Sequence, residues 1–135
     1  SNTLDDYEEG TFTPTLAGTT AAGNEPTGSG YYVKVGRIVH AQLRFSNVTV
    51  SGAEGSMRIG GFPQTIFDTN SAYGLTTNFQ SQNIDFNGAK HQSWYASGAG
   101  QFDLLESTDG GDWTDGAVTN TTGIYFNLQI TYMVD

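Results

Sequence analysis

Five carboxylates recur at every third position from residue 103 to residue 115: Asp103, Glu106, Asp109, Asp112 and Asp115. Two chemistries use such a gathering. A hard cation such as calcium takes several oxygen ligands from an acidic, glycine-rich loop, and Asp109-Gly110-Gly111-Asp112-Trp113-Thr114-Asp115-Gly116 has that composition. The alternating Asp pattern of an EF-hand is absent, and a period of three in a loop has no fixed geometry, so a solvated acidic loop is the simpler reading and no metal is assigned. Two carboxylates a few ångströms apart would also serve as acid and base on a glycosidic bond, although sequence spacing does not set their separation. His40 and His91 fall on different predicted strands, where solvated histidines are a simpler reading than a shared metal. No Gly-x-Ser-x-Gly elbow, phosphate loop or His-Glu-x-x-His motif is present. The chain is expected to be neither an enzyme nor dependent on a cofactor.

The aromatics suggest binding instead. Sugars stack their apolar C–H faces on Trp and Tyr, while Asp, Asn and Gln accept from the hydroxyls. Trp113, flanked by Asp112, Thr114 and Asp115 in a polar loop, is the best single candidate. An indole folded back over the edge of the domain is the open alternative. Trp94 and Tyr95 are adjacent in a predicted strand and therefore face opposite sides, so one of them looks outward or into an interface. The candidate glycan-binding set is Trp113, Asp112, Asp115, Trp94 and Tyr95. Of Tyr31 and Tyr32, one ring is expected in the core.

Such side chains need a framework, and wherever this chain is periodic the period is two. Across residues 38–45, Val39, Ala41, Leu43 and Phe45 fall on one side and His40, Gln42 and Arg44 on the other, as in a strand with one buried face. Beyond Asn47 the phase flips to Val48 and Val50, which predicts a bulge or bend there. The last strand places Ile124, Phe126, Leu128, Ile130, Tyr132 and Val134 on one face and Tyr125, Asn127, Gln129, Thr131 and Met133 on the other. Tyr125 and Met133 make that second face partly apolar. Either a neighbouring protomer or a loop of the same chain covers them, and the first reading makes the pair an assembly surface. Shorter strands are predicted at 31–35, 56–59, 73–79, 83–86, 90–96 and 101–105. Asn87-Gly88 would turn 83–86 into 90–96, and Gly98-Ala99-Gly100 would turn the chain back into Gln101. Residues 17–30 read as a long surface loop or a weak hairpin. No helical period and no internal repeat is found, so the fold class is all-β: a single jelly-roll-like β-sandwich of about 8–10 short antiparallel strands.

With 135 residues the chain is long enough for one core without covalent staples, in keeping with zero cysteines. A net charge of −9 with five Lys and Arg argues against nucleic acid, whose phosphates are held by cationic side chains, and against anionic membranes. No apolar run reaches membrane-spanning length, so no membrane insertion is expected. Glycine, Thr, Asn and Ser dominate a neutral-polar surface suited to uncharged or cationic glycans. Residue 1 is serine, which suggests a piece of a longer polypeptide with Ser1-Asn2 a cloning scar.

Several blocks resemble a known viral module. Leu4-Asp5-Asp6-Tyr7-Glu8-Glu9-Gly10-Thr11-Phe12-Thr13-Pro14 is similar to the segment that leads into the C-terminal β-domain of bacteriophage tail fibres and tailspikes. Gly30-Tyr31-Tyr32-Val33-Lys34-Val35-Gly36-Arg37-Ile38, Gly60-Gly61-Phe62-Pro63, Ser93-Trp94-Tyr95-Ala96-Ser97-Gly98-Ala99-Gly100 and Thr122-Gly123-Ile124-Tyr125-Phe126 follow in the family's order. The resemblance implies a homotrimeric, extracellular virion component, carried on an upstream fibre shaft, that attaches the phage to a bacterial cell-surface glycan without catalysis. A purely structural trimerisation or capping role is the alternative, and a glycan-degrading enzyme a more distant one. Residues 1–16 are expected to be an acidic extended lead-in and 17–135 the sandwich.

Overall fold

The computed structural model describes residues 6–63, 76–85, 90–98 and 100–134. Its elements there are all strands: β1 (Tyr7–Phe12), β2 (Thr15–Gly18), β3 (Ser29–Val35), β4 (Ile38–Val48), β5 (Met57–Gly60), β6 (Thr76–Gln82), β7 (His91–Gly98), β8 (Gln101–Ser107), β9 (Trp113–Asp115) and β10 (Ile124–Met133). They form two antiparallel sheets. The first has the order β1-β3-β4-β10-β6, and the second β2-β5-β8-β7 with β9 also paired to β8. The chain keeps switching between sheets, as a jelly-roll-like sandwich does, and only β3–β4 and β7–β8–β9 run as hairpins within one sheet.

Alternation builds the core. Val39, Ala41, Leu43 and Phe45 of β4 and Ile124, Phe126, Leu128, Ile130 and Tyr132 of β10 are all buried, and they meet Phe102, Leu104 and Trp94 of the second sheet. Phe126 lies 5.5 Å from Trp94 across the sandwich. Phe62 packs among Phe12, Phe102 and Tyr132, with ring centroids 5.2, 4.8 and 5.9 Å away. Each such ring contributes about 1.5–3 kcal/mol by leaving water.

Two local devices shape the first sheet. Gly36 and Arg37 close the β3–β4 hairpin between paired Val35 and Ile38, and the φ of +57° at Gly36 meets the demand of a II′ turn for a positive first central φ. At the far end of β4, Ile124 pairs with Val48 but Phe126 with Phe45, so β4 carries one extra residue there. Asn47 absorbs it at a φ of 52°, which is the bulge predicted from the phase flip.

Other expectations change. The sandwich does not begin at residue 17: β1 pairs along its whole length with β3, and Leu16 of β2 is fully buried, so residues 7–16 belong to it. Residues 17–30 do form a weak hairpin with a long exposed turn: Thr15 bridges Thr27 antiparallel, Leu16 N–H donates to the Pro26 carbonyl and Gly28 N–H to the Pro14 carbonyl. They leave β2, cross by way of an Ala21–Glu54 bridge, and enter β3. No strand forms over 83–85, because β6 ends at Gln82 and Asn83 takes a φ of 62°. The expected strand start at 73–75, the Asn87-Gly88 turn and Ala99 lie outside the described residues.

Candidate functional site

The outward side chains of the first sheet line up across strands in rows. Tyr31, Gln42, Gln129 and Asn78 form one row, and Ser29, Arg44, Asn127 and Gln80 the next. Together they line a hollow of about 500 Å³ whose floor is the sheet around Leu43, Phe79 and Leu128. Those three side chains turn inward to the core, which leaves the hollow a rigid apolar-backed base and a polar wall.

The wall holds hydrogen-bonding groups in reserve. His40, one row along on β4, contacts Thr131 Oγ1 through Nδ1 at 2.9 Å. Its Nε2 faces the amide nitrogens of Gln42 at 3.5 Å and Gln129 at 3.4 Å. An Nδ1–H tautomer fits all three contacts: it donates to the hydroxyl and accepts two long, weak amide bonds that aim Gln42 and Gln129. Among the described residues, the side chains of Ser29, Tyr31, Arg44, Asn78, Gln80 and Asn127 make no hydrogen bond. Tyr31 is 68% exposed at the edge of the hollow, whereas Tyr32 packs against the core and donates its hydroxyl to Glu8.

The residues singled out from sequence lie on the second sheet. Trp94 is 3% exposed, so it is core and leaves the candidate binding set: its strand parity matches the inward Leu104 opposite. Tyr95 points outward beside Asp103, and Trp113 and Asp115 of β9 share that outer face through their pairing with Ser107 and Leu105. Trp113 is 74% exposed, on a short strand rather than in a loop, and its indole does not fold back over the sandwich. Asp112 is exposed in the preceding turn.

The acidic series divides by environment. Asp103 is buried and accepts a two-pronged bond from Arg58 Nε and Nη2, at 2.6 and 2.8 Å, which holds the guanidinium protonated above its ordinary range. Burial first, then the charges of Asp103 and Asp115, raise the Tyr95 phenol, with Arg58 opposing. Glu106 is buried with Lys90 3.8 Å away, while Asp109 and Asp112 are exposed. Among the described residues no group of three His, Cys, Asp or Glu side chains is arranged to hold a metal. His40 and His91 occupy different sheets, and His91 Nε2 lies 2.7 Å from Ser107 Oγ.

Tyr125 and Met133 are both exposed but occupy opposite ends of β10, about 26 Å apart at strand rise, so they do not form one patch. Met133 instead joins Ile38, Val35 and Tyr7 in an apolar row across four strands.

Sequence reasoning missed the hollow. Its signal was present in the wet faces His40-Gln42-Arg44 and Asn127-Gln129, but cross-strand register was needed to bring them together with Tyr31, Asn78 and Gln80.

No family model matches this sequence, and no curated protein matches it. The fold is similar to that in the crystal structure of Dettilon tailspike protein (gp208), with a TM-score of 0.73 over 94% of this chain and 13% sequence identity. The match covers 24% of that chain, so the present sequence spans about a quarter of it, and the likeness is one of fold.

Proposed function

We propose that this domain is a phage tail module of the virion exterior that holds a bacterial surface glycan in the hollow of its first sheet without cleaving it. The observation that carries the reading is the convergence of unspent amides, a hydroxyl and an exposed tyrosine on one rigid concavity. Each sugar hydroxyl both donates and accepts, and each Asn or Gln amide offers both functions in return. Tyr31 adds a ring on which the apolar face of a sugar stacks. The tailspike likeness supports a place in a phage tail. Shallow sites of this kind bind weakly alone, and a homotrimer would gain avidity from three of them. Among the described residues, the lining is made of amides, hydroxyls, Arg44 and apolar groups with no carboxylate, which supports binding over hydrolysis.

A second reading places the glycan on the second sheet, favoured by the exposure of Trp113 on the same face as Tyr95 and Asp115. Saccharide arrays read with the wild-type chain, an Asn127→Leu/Gln129→Leu variant and Trp113→Ala separate the possibilities. Loss of at least about tenfold in affinity in the double variant, with Trp113→Ala within twofold, is the expected result. The reverse pattern moves the site to the second sheet. A folded wild-type chain that binds no saccharide returns the domain to a capping or trimerisation role.

A further inference from the structure

Five cationic side chains serve this acidic chain, and three are engaged in holding the fold. Arg58 grips Asp103, Lys90 approaches Glu106, and Arg37 donates from Nε to the Val134 carbonyl at 3.0 Å. Arg44 is different. It stands exposed in the hollow between Ser29 and Asn127, with no hydrogen bond or ion pair among the described residues. Its row and the adjoining one consist of neutral Ser, Tyr, Asn and Gln side chains, although the chain carries 14 Asp and Glu. The hollow thus holds one cation and, among the described residues of its lining, no carboxylate, on a molecule of net charge −9.

We propose that the glycan taken by the hollow carries a carboxylate, and that Arg44 reads it. The inference rests on the saccharide reading above and narrows it from surface glycans in general to acidic ones. A guanidinium presents a planar fork that matches both oxygens of a carboxylate, where a neutral amide offers one N–H at a time. Asn127, directly opposite Arg44 in register, and Gln80 beyond it have amide groups free for the remaining lone pairs of that carboxylate. The net negative charge of the domain repels an anionic polymer at long range, so selection must come from contact inside the hollow. At about 0.15 M salt, with a screening length of about 8 Å, the distant repulsion fades while the contact persists.

The test is an array of bacterial polysaccharides, neutral and uronic-acid-bearing, probed with the wild-type chain, Arg44→Gln and Arg44→Lys at physiological salt. The best binder is then compared with its carboxyl-reduced form. The expected result is that the hits are acidic, that carboxyl reduction costs about tenfold or more, and that Arg44→Gln abolishes this difference while Arg44→Lys retains part of it. Neutral hits, acidic hits that survive carboxyl reduction, or a penalty in Arg44→Gln that is equal for native and reduced forms would overturn the role of Arg44 yet leave saccharide binding standing. Binding to no polysaccharide by a folded chain overturns both. Arg44 is exposed and outside the core, so unchanged near-ultraviolet circular dichroism verifies that each variant is folded.

Discussion

Trp94 and Tyr95 are adjacent in β7 and face opposite sides of the second sheet, so their chemistry diverges although their sequence context is nearly identical. Trp94 contributes its area to the core beside Phe126, whereas Tyr95 sits over the Arg58–Asp103 pair. Burial and the nearby carboxylates hold the Tyr95 proton beyond its ordinary 10.0. The folded state thus binds this proton more tightly than the unfolded chain does. That contribution to stability is fully present below pH 10.0 and is lost as pH rises through the folded value. In a phenolate absorbance titration, Tyr95→Phe should remove a late-titrating component; loss of an early component instead would show that Asp103 and Asp115 do not act on it. Adjacency foretold that one of the two rings would face out. Which one depended on pairing with β8, and no local residue pattern encodes that choice.

β4 and β10 were legible in detail because a strand buried on one face writes its burial into every second residue, and the bulge appeared as a slip in that rhythm. Asn47 tolerates its left-handed φ through a short polar side chain, where a β-branched residue meets its own backbone. Urea denaturation should accordingly show Asn47→Val destabilised by about 1–2 kcal/mol, and Asn47→Gly unchanged or slightly stabilised. Equal losses in both variants would mean that the side chain, not the backbone angle, holds the bulge. β1 was not legible as part of the sandwich for the opposite reason. Its Tyr7-Glu8-Glu9-Gly10 start looks like a solvated lead-in, yet edge pairing with β3 requires only backbone groups, and Phe12 then tucks beside Phe62. The hollow shares this logic, since its walls come from residues as far apart in sequence as Ser29 and Gln129 and exist only once β3, β4, β10 and β6 pair in register.

Across the whole molecule, the outer face of the first sheet grades from apolar to polar along the strands. At the β3–β4 hairpin end, Tyr7, Val35, Ile38 and Met133 stand side by side, each between 42% and 59% exposed. Four registered apolar side chains in water form a contiguous patch, unlike scattered exposed residues, and a contiguous patch is what an interface buries. The hollow begins with the Tyr31 row, four residues along β3 and about 13 Å away, so contacts between copies at the hairpin end would leave it open to ligand. The trimer proposed for this module makes this row the place to break. Light scattering of the wild-type chain should give a mass three times that of the chain, and Val35→Lys/Ile38→Lys should give a monomer that keeps its near-ultraviolet circular dichroism, because neither side chain enters the core, with a melting temperature lowered only by the loss of the interface. In the monomer, binding to a surface densely coated with glycan should fall by about 10²-fold or more, while the affinity of each site for a soluble oligosaccharide stays the same. A double variant that remains trimeric would place the interface elsewhere, and a wild-type monomer would show that this domain does not trimerise by itself.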